Sequence, residues 1–234
     1  MADIASLKKL VNNFSYKISE EEVDEFFSYL KEVHYKRNTS IVAAGEMNDN
    51  LYIVKDGIIR SFYTKENKEI TLYFGMDGDF FFSANSFYGG LPSLITIESC
   101  GDTELMMISK QDFMNLCYHS VGFANWALDN ALGQLWSLEV KSTLIAGDAY
   151  DRYYSLVKKR PEILQKVPLK TIASYLGITK HSLSRLRNLN IGMMQIHHRL
   201  KTDILFGSAH SIFFIRVIGC QMITNSGLKI EVAI

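Results

Sequence analysis

Between Pro168 and Asn188 the chain gathers hydroxyl, imidazole and cationic side chains on a short predicted helix: Thr179, Lys180, His181, Ser182, Ser184, Arg185 and Arg187. The chemistry these types offer is recognition. A guanidinium such as Arg185 can pair bidentately with a guanine edge, and Lys180, His181, Ser182 and Ser184 can reach base edges or phosphates. Thr179 and the free amides of a helix N-terminus can hold a phosphate. Two elements must position them. Leu169, Ile172, Ala173 and Leu176 recur at i, i+3, i+4 and i+7, which predicts a first helix with one apolar stripe. Gly177 can take the left-handed conformation that turns the chain, Ile178 plugs the corner, and Thr179 N-caps a second helix whose Leu183 and Leu186 face inward. This is the layout of a helix-turn-helix, which docks in a major groove of double-stranded DNA. The plainer alternative is a helical hairpin with a solvated polar face.

Charge supports the first reading. The 234 residues sum to zero, yet residues 1–149 hold 12 Lys/Arg against 21 Asp/Glu, and residues 150–234 hold 13 against 4. An acidic front and a basic back imply two jobs, and positive potential at the basic end attracts a phosphate backbone. Hydrophobic residues make up 47%, enough for a buried core, and no apolar run approaches the roughly 20 residues of a membrane span. The polar, charged N-terminus does not read as a signal peptide, so a cytoplasmic location without a membrane partner is expected. Cys100, Cys117 and Cys220 are isolated and give neither zinc spacing nor a disulfide framework.

Upstream, residues 1 to about 36 read as helical, with a capping box at Ser19 and Glu22. From about 37 to 110, short runs of β-branched and aromatic residues (51–54, 58–63, 70–74, 94–97 and 104–108) alternate with turn signals such as Lys55-Asp56-Gly57 and Gly89-Gly90. That pattern predicts a small barrel or jelly roll. Ser109 caps a short helix, and a long helix follows from about Val121 to Leu144, apolar on more than one face. One face can pack on the barrel and the other on a second copy of the chain. The expected class is α+β: a sensor barrel over 1–120, a dimerisation helix over 121–147, a helix-turn-helix unit over 148–190 and an atypical tail over 191–234.

This order resembles the Crp/Fnr family of bacterial transcription regulators. The likeness rests on Gly45-Glu46, Leu51 to Gly57 and Gly78-Asp79-Phe80 in the barrel, and on Asp151-Arg152-Tyr153, Arg160-Pro161 and Ile172 to Thr179 with Ser184-Arg185 downstream. It implies a homodimer that binds a two-fold operator, acts on RNA polymerase and answers to a small-molecule effector. By position, Lys180, His181 and Arg185 match the family's base readers, with His181 where an acidic residue is common. Members that bind cyclic nucleotides carry a Gly-Glu pair and then an Arg-Ser pair. Here those places hold Phe82-Ser83 and Ser93-Leu94, and no arginine occurs between Arg60 and Arg152. A buried phosphate would lack its cation, so cyclic AMP binding in the usual mode is not expected. Iron–sulfur sensing is not expected either, because no cysteine precedes Cys100. Phe82, Ser83, Asn85, Ser86 and Ser93 are the candidate pocket residues for an apolar or aromatic effector. The other possibility is that the aromatics simply fill the barrel.

Two rivals stand beside this reading. A metal-dependent barrel enzyme would need histidines inside the barrel, and none occurs between His34 and His119. No cofactor, metal or catalytic residue is therefore expected. A ligand-binding or scaffold protein with impaired DNA binding is the second rival. It draws on the apolar tail from Ile191 to Ile234, which reads either as a displaced wing hairpin or as an addition without selected function.

Overall fold

A computed structural model describes residues 3–13, 16–146 and 148–188; the tail with its candidate hairpin lies outside the described residues. Helix α1 (Ile4–Val11) starts at Asp3, whose carboxylate accepts the Ser6 amide at 2.6 Å. Helix α2 (Glu20–Ser28) carries the expected capping box between Ser19 and Glu22. It stops there. The expectation of helix up to about residue 36 is corrected, because Lys31–Tyr35 forms strand β1. Five residues of strand pair with a distant partner, and that long-range ladder decides the local conformation.

The following strands are β2 (Ser40–Val42), β3 (Asn50–Asp56), β4 (Ile59–Lys65), β5 (Lys68–Gly75), β6 (Phe80–Phe81), β7 (Thr96–Ser99) and β8 (Thr103–Ser109), with a short helix α3 (Ala84–Phe87) between β6 and β7. They form two four-stranded sheets in the orders β1-β8-β3-β6 and β2-β7-β4-β5, with antiparallel pairing. This is the expected jelly roll. Inward residues of both sheets, including Val54, Ile59, Phe81, Ile97 and Leu105, make its core. Gly75 lets the sheets close there, since a Cβ at that place would strike the Phe81 ring.

Helix α4 (Lys110–His119) is capped by Ser109, which accepts the Asp112 amide at 3.1 Å. Helix α5 (Val121–Ala146) follows. Its Phe123 and Trp126 are fully buried against Phe26 and the N-terminal helices in a second core. The opposite face of α5 carries Leu128, Leu132 and Leu135 at 56%, 56% and 63% exposure. A helix with an apolar stripe on both sides has one side still to cover.

Helix α6 (Ala149–Lys159) is capped by Asp148, helix α7 (Pro161–Lys166) begins on a proline, and helix α8 (Leu169–Tyr175) follows. Residues 180–188 are helical as well and are labelled α9. These helices share a third core with the barrel: Ile58, Phe74 and Cys100 pack with Tyr153, Leu156, Ile163, Ile172 and Leu183. No helix of the described residues is long and apolar enough to cross a membrane.

Candidate functional site

Two features qualify. The first is the turn from α8 into α9. Gly177 adopts φ +65°, the left-handed region that favours glycine. The Ile178 amide donates to the Ala173 carbonyl at 3.0 Å and the Gly177 amide to the Ser174 carbonyl at 3.1 Å, the two bonds of a Schellman turn. Thr179 then caps α9, its hydroxyl accepting the Ser182 amide at 3.1 Å and pairing with the Ser182 hydroxyl. Leu183 is fully buried and pins α9 from behind.

On the outer side Lys180, His181 and Arg185 are exposed, Ser182, Ser184 and Arg187 half-buried. The Ser184 hydroxyl donates to the Lys180 carbonyl at 3.1 Å. Thr179, Ser182 and Ser184 therefore spend hydroxyl capacity on their own helix. Lys180, His181 and Arg185 are the long side chains that project from it.

The second feature is a cavity of about 790 Å³ where the barrel, α5 and α8 meet. Strand β5 is an edge of its sheet, and α8 covers it. The Ser174 hydroxyl donates to the Glu69 carbonyl at 2.6 Å and accepts the Thr71 amide at 3.0 Å. Backbone groups that an edge strand would leave to water are thus satisfied by one side chain. Register shifts between Ser61 and Phe62, and such a bulge re-aims the side chains that follow it. Ser61, Tyr63, Thr71, Tyr73 and Phe80–Phe82 line the barrel side, Gln134 and Ser137 come from α5, and Ser174–Gly177 come from the far wall. Arg152 of α6 also lines it and donates from Nε to the Leu176 carbonyl at 2.8 Å. Burial pushes the Tyr175 phenol up to about 12, so it stays neutral at physiological pH.

Of the five pocket residues expected from sequence, Phe82 lines the cavity. The others hold their own loop. Ser83 caps α3. Ser86 donates to the Leu91 carbonyl at 2.8 Å, Asn85 to the Pro92 carbonyl at 2.6 Å, and Ser93 to the Ile95 carbonyl at 2.7 Å. Sequence reading missed Thr71, Ser174 and Arg152. Only the docking of α8 on β5, about a hundred residues away along the chain, brings them together. Residues 80–97 contain no charged side chain at all.

A jelly roll with a short helix between β6 and β7 and a cavity beside that loop is the geometry on which a family comparison bears. Residues 32–120 match the cyclic nucleotide-binding domain family. The cyclic nucleotide-binding-type domain is also what the chain shares with a curated enzyme, cAMP/cGMP-dependent 3',5'-cAMP/cGMP phosphodiesterase B of Dictyostelium discoideum. That match is 34% identical over 77 residues, 33% of this chain, and the chain spans only 7% of the enzyme's length.

Two solved structures resemble more of the chain. FixK2 from Bradyrhizobium japonicum aligns with TM-score 0.59 at 20% identity, over 77% of this chain and 89% of that one. A mutant of CooA from Carboxydothermus hydrogenoformans aligns with TM-score 0.55 at 23% identity, over 82% and 87%. At these identities the likeness is one of fold, and it extends well past the cyclic nucleotide-binding-type domain.

One further cluster could suggest a metal: Glu32, His34 and Glu104 place ligand atoms within 4.8 Å of one another. The Lys55 ammonium already sits there, 2.6 Å from Glu32 and 3.1 Å from Glu104. The Glu32 hydrogen bond raises the Lys55 pKa above its ordinary value despite partial burial, so the lysine is itself the counter-ion of this cluster.

Proposed function

We propose that this chain is a DNA-binding transcription regulator of the Crp/Fnr type, non-catalytic and homodimeric, whose barrel senses a small molecule other than a cyclic nucleotide. The observation that carries the reading is α9, which presents Lys180, His181 and Arg185 outward while Leu183 anchors it from behind. A rigid cationic helix on a closed turn is what major-groove readout requires. The leucine face of α5, opposite Trp126, supports pairing of two copies, which would set two reading helices for a two-fold site. Bound in that way, the dimer would act on RNA polymerase.

The cyclic nucleotide-binding-type fold argues for a ligand; its loop argues against the usual one. A cyclic phosphate in a cavity of low dielectric needs a cation from the barrel, and residues 80–97 supply none.

Selection of bound fragments from random-sequence duplex DNA tests the reading. Enrichment of two inverted half-sites about one helical turn apart is the expected result. The second reading, a ligand-binding protein with impaired DNA binding, draws on the packing of α6–α9 against the barrel, and it predicts no enrichment.

A further inference from the structure

We propose that the cavity takes an uncharged aromatic molecule bearing one hydroxyl or carbonyl group, and that the Ser61 hydroxyl is its hydrogen-bond partner. This deepens the sensor half of the reading above and rests on that half, not on DNA recognition.

The wall disfavours a charge of either sign. No carboxylate is among the described residues that line it, so a cation would enter low dielectric without a counter-ion. Arg152 is the one charged side chain among them, and the protein itself engages it, the Leu176 carbonyl included. An anion would have to compete with those partners and shed its own hydration as well. Tyr175 stays a neutral phenol, because burial pushes its pKa up to about 12. What the wall does offer is rings, from Tyr63, Tyr73, Phe80, Phe82 and Tyr175, and an uncharged amide from Gln134 on α5. A flat ring gains area and tilted ring contacts against such side chains.

Ser61 supplies the polar end. It is 4% exposed and lines the cavity, and its hydroxyl makes no hydrogen bond among the described residues. A buried hydroxyl left unbonded is costly, and a ligand atom would relieve it. The Thr71 hydroxyl is also without a partner among the described residues, but its oxygen is sealed where α8 docks on β5. The Ser61 oxygen is not sealed in that way and can meet a guest. A serine hydroxyl both donates and accepts, which suits a ligand hydroxyl or carbonyl. The cross-strand neighbour of Ser61 is Tyr73, whose ring lies 4.9 Å from that of Phe81, and both rings line the cavity. A ligand bonded to Ser61 therefore lies beside this ring pair. About 790 Å³ holds one such molecule, which would touch the barrel, α5 and the end of α8 together. Its occupancy would favour one placement of α9 over another.

The test is equilibrium dialysis of 2-naphthol, naphthalene and 2-naphthoate against the full chain at pH 7, wild type and Ser61→Ala. The expected result is one saturable 2-naphthol site per chain. Naphthalene should bind roughly fivefold more weakly for want of the hydrogen bond, and 2-naphthoate weaker than 2-naphthol by about tenfold or more for its charge. Ser61→Ala should bring 2-naphthol down to the affinity of naphthalene and leave naphthalene unchanged. Millimolar cyclic AMP should not displace 2-naphthol. No saturable binding, 2-naphthoate binding as tightly as 2-naphthol, or a Ser61→Ala variant that weakens both uncharged probes alike or neither would overturn the proposal. Displacement by cyclic AMP would overturn the sensor reading with it. Should Ser61→Ala not fold, the wild-type order of the three probes decides. None of these outcomes alters fragment selection on DNA, so failure here and failure of the regulator reading are separable.

Discussion

Arg160 Nη2 stands 3.0 Å from Asp79 Oδ2, with the two side chains 6% and 2% exposed. Arg160 Nη1 also donates to the Phe74 carbonyl at 3.0 Å, and Asp79 accepts the Met76 amide at 2.9 Å. A buried ion pair is held when further donors and acceptors are used, and each partner here makes at least one more hydrogen bond. Asp79 belongs to the turn before β6 and Arg160 to the junction of α6 and α7. The pair therefore fastens the barrel to the helices that carry α9.

Removing one partner leaves the other charge buried. Arg160→Met is expected to cost about 3–5 kcal/mol, and adding Asp79→Asn should restore a large part of it. Urea midpoints of the single and double variants check this. A double variant as unstable as the sum of the singles would show that the two side chains do not act as a pair.

The uncovered face of α5 should hold two copies together. Leu132 is 56% exposed, so Leu132→Glu should fold normally and sediment as a monomer where the wild type sediments as a dimer. If both sediment as monomers, another explanation of the leucine face is needed.

Glu22 supplies a pH-dependent contribution. The Ser120 hydroxyl first, and then the Ser19 amide, hold its carboxyl below the usual value of 4.5. A depressed folded-state pKa means the stabilisation is complete above about pH 4.5 and is lost as pH falls through the lower folded value. Glu22→Gln should cost about 1 kcal/mol at pH 7, the usual scale of a helix cap. The gap between variant and wild type should close on acidification, and urea midpoints at pH 7 and pH 3 measure it. An undiminished gap at pH 3 would assign the loss to packing.

Cys100 should be inert in the native chain. Burial pushes its thiol from 9.0 up to about 12, which lowers the thiolate fraction by about a thousandfold. Peptide-level mass spectrometry after brief iodoacetamide treatment at pH 8 should find Cys100 unmodified without denaturant and modified with it. Rapid native labelling would mean that the shared core of the barrel and α6–α9 opens readily.

The parts of this fold legible in the sequence are those fixed by a few neighbouring residues. The box at Ser19 and Glu22, the cap at Ser109, the cap at Asp148 and the left-handed Gly177 each declare themselves within four positions, and each is present. Strand β1 was not legible, because Lys31–Tyr35 acquires its conformation from β8, some seventy residues away. The cavity was half legible for the same reason. Phe82 was found by its apolar surroundings. Ser83, Asn85, Ser86 and Ser93 looked equally available until loop closure showed where their hydrogen bonds go. Thr71 meets the far wall of the cavity because Ser174 docks α8 on an edge strand, and no local pattern announces that.

The central claim, that α9 reads DNA as one of a pair, is tested most directly by binding the purified chain to a selected duplex, to a single half-site and to a scrambled duplex at fixed salt. The account predicts two chains on the full site, a marked loss of affinity on the half-site, and a further cost of about 1–3 kcal/mol for Arg185→Ala on the selected sequence only. The same affinity for all three duplexes, untouched by Arg185→Ala, would contradict it.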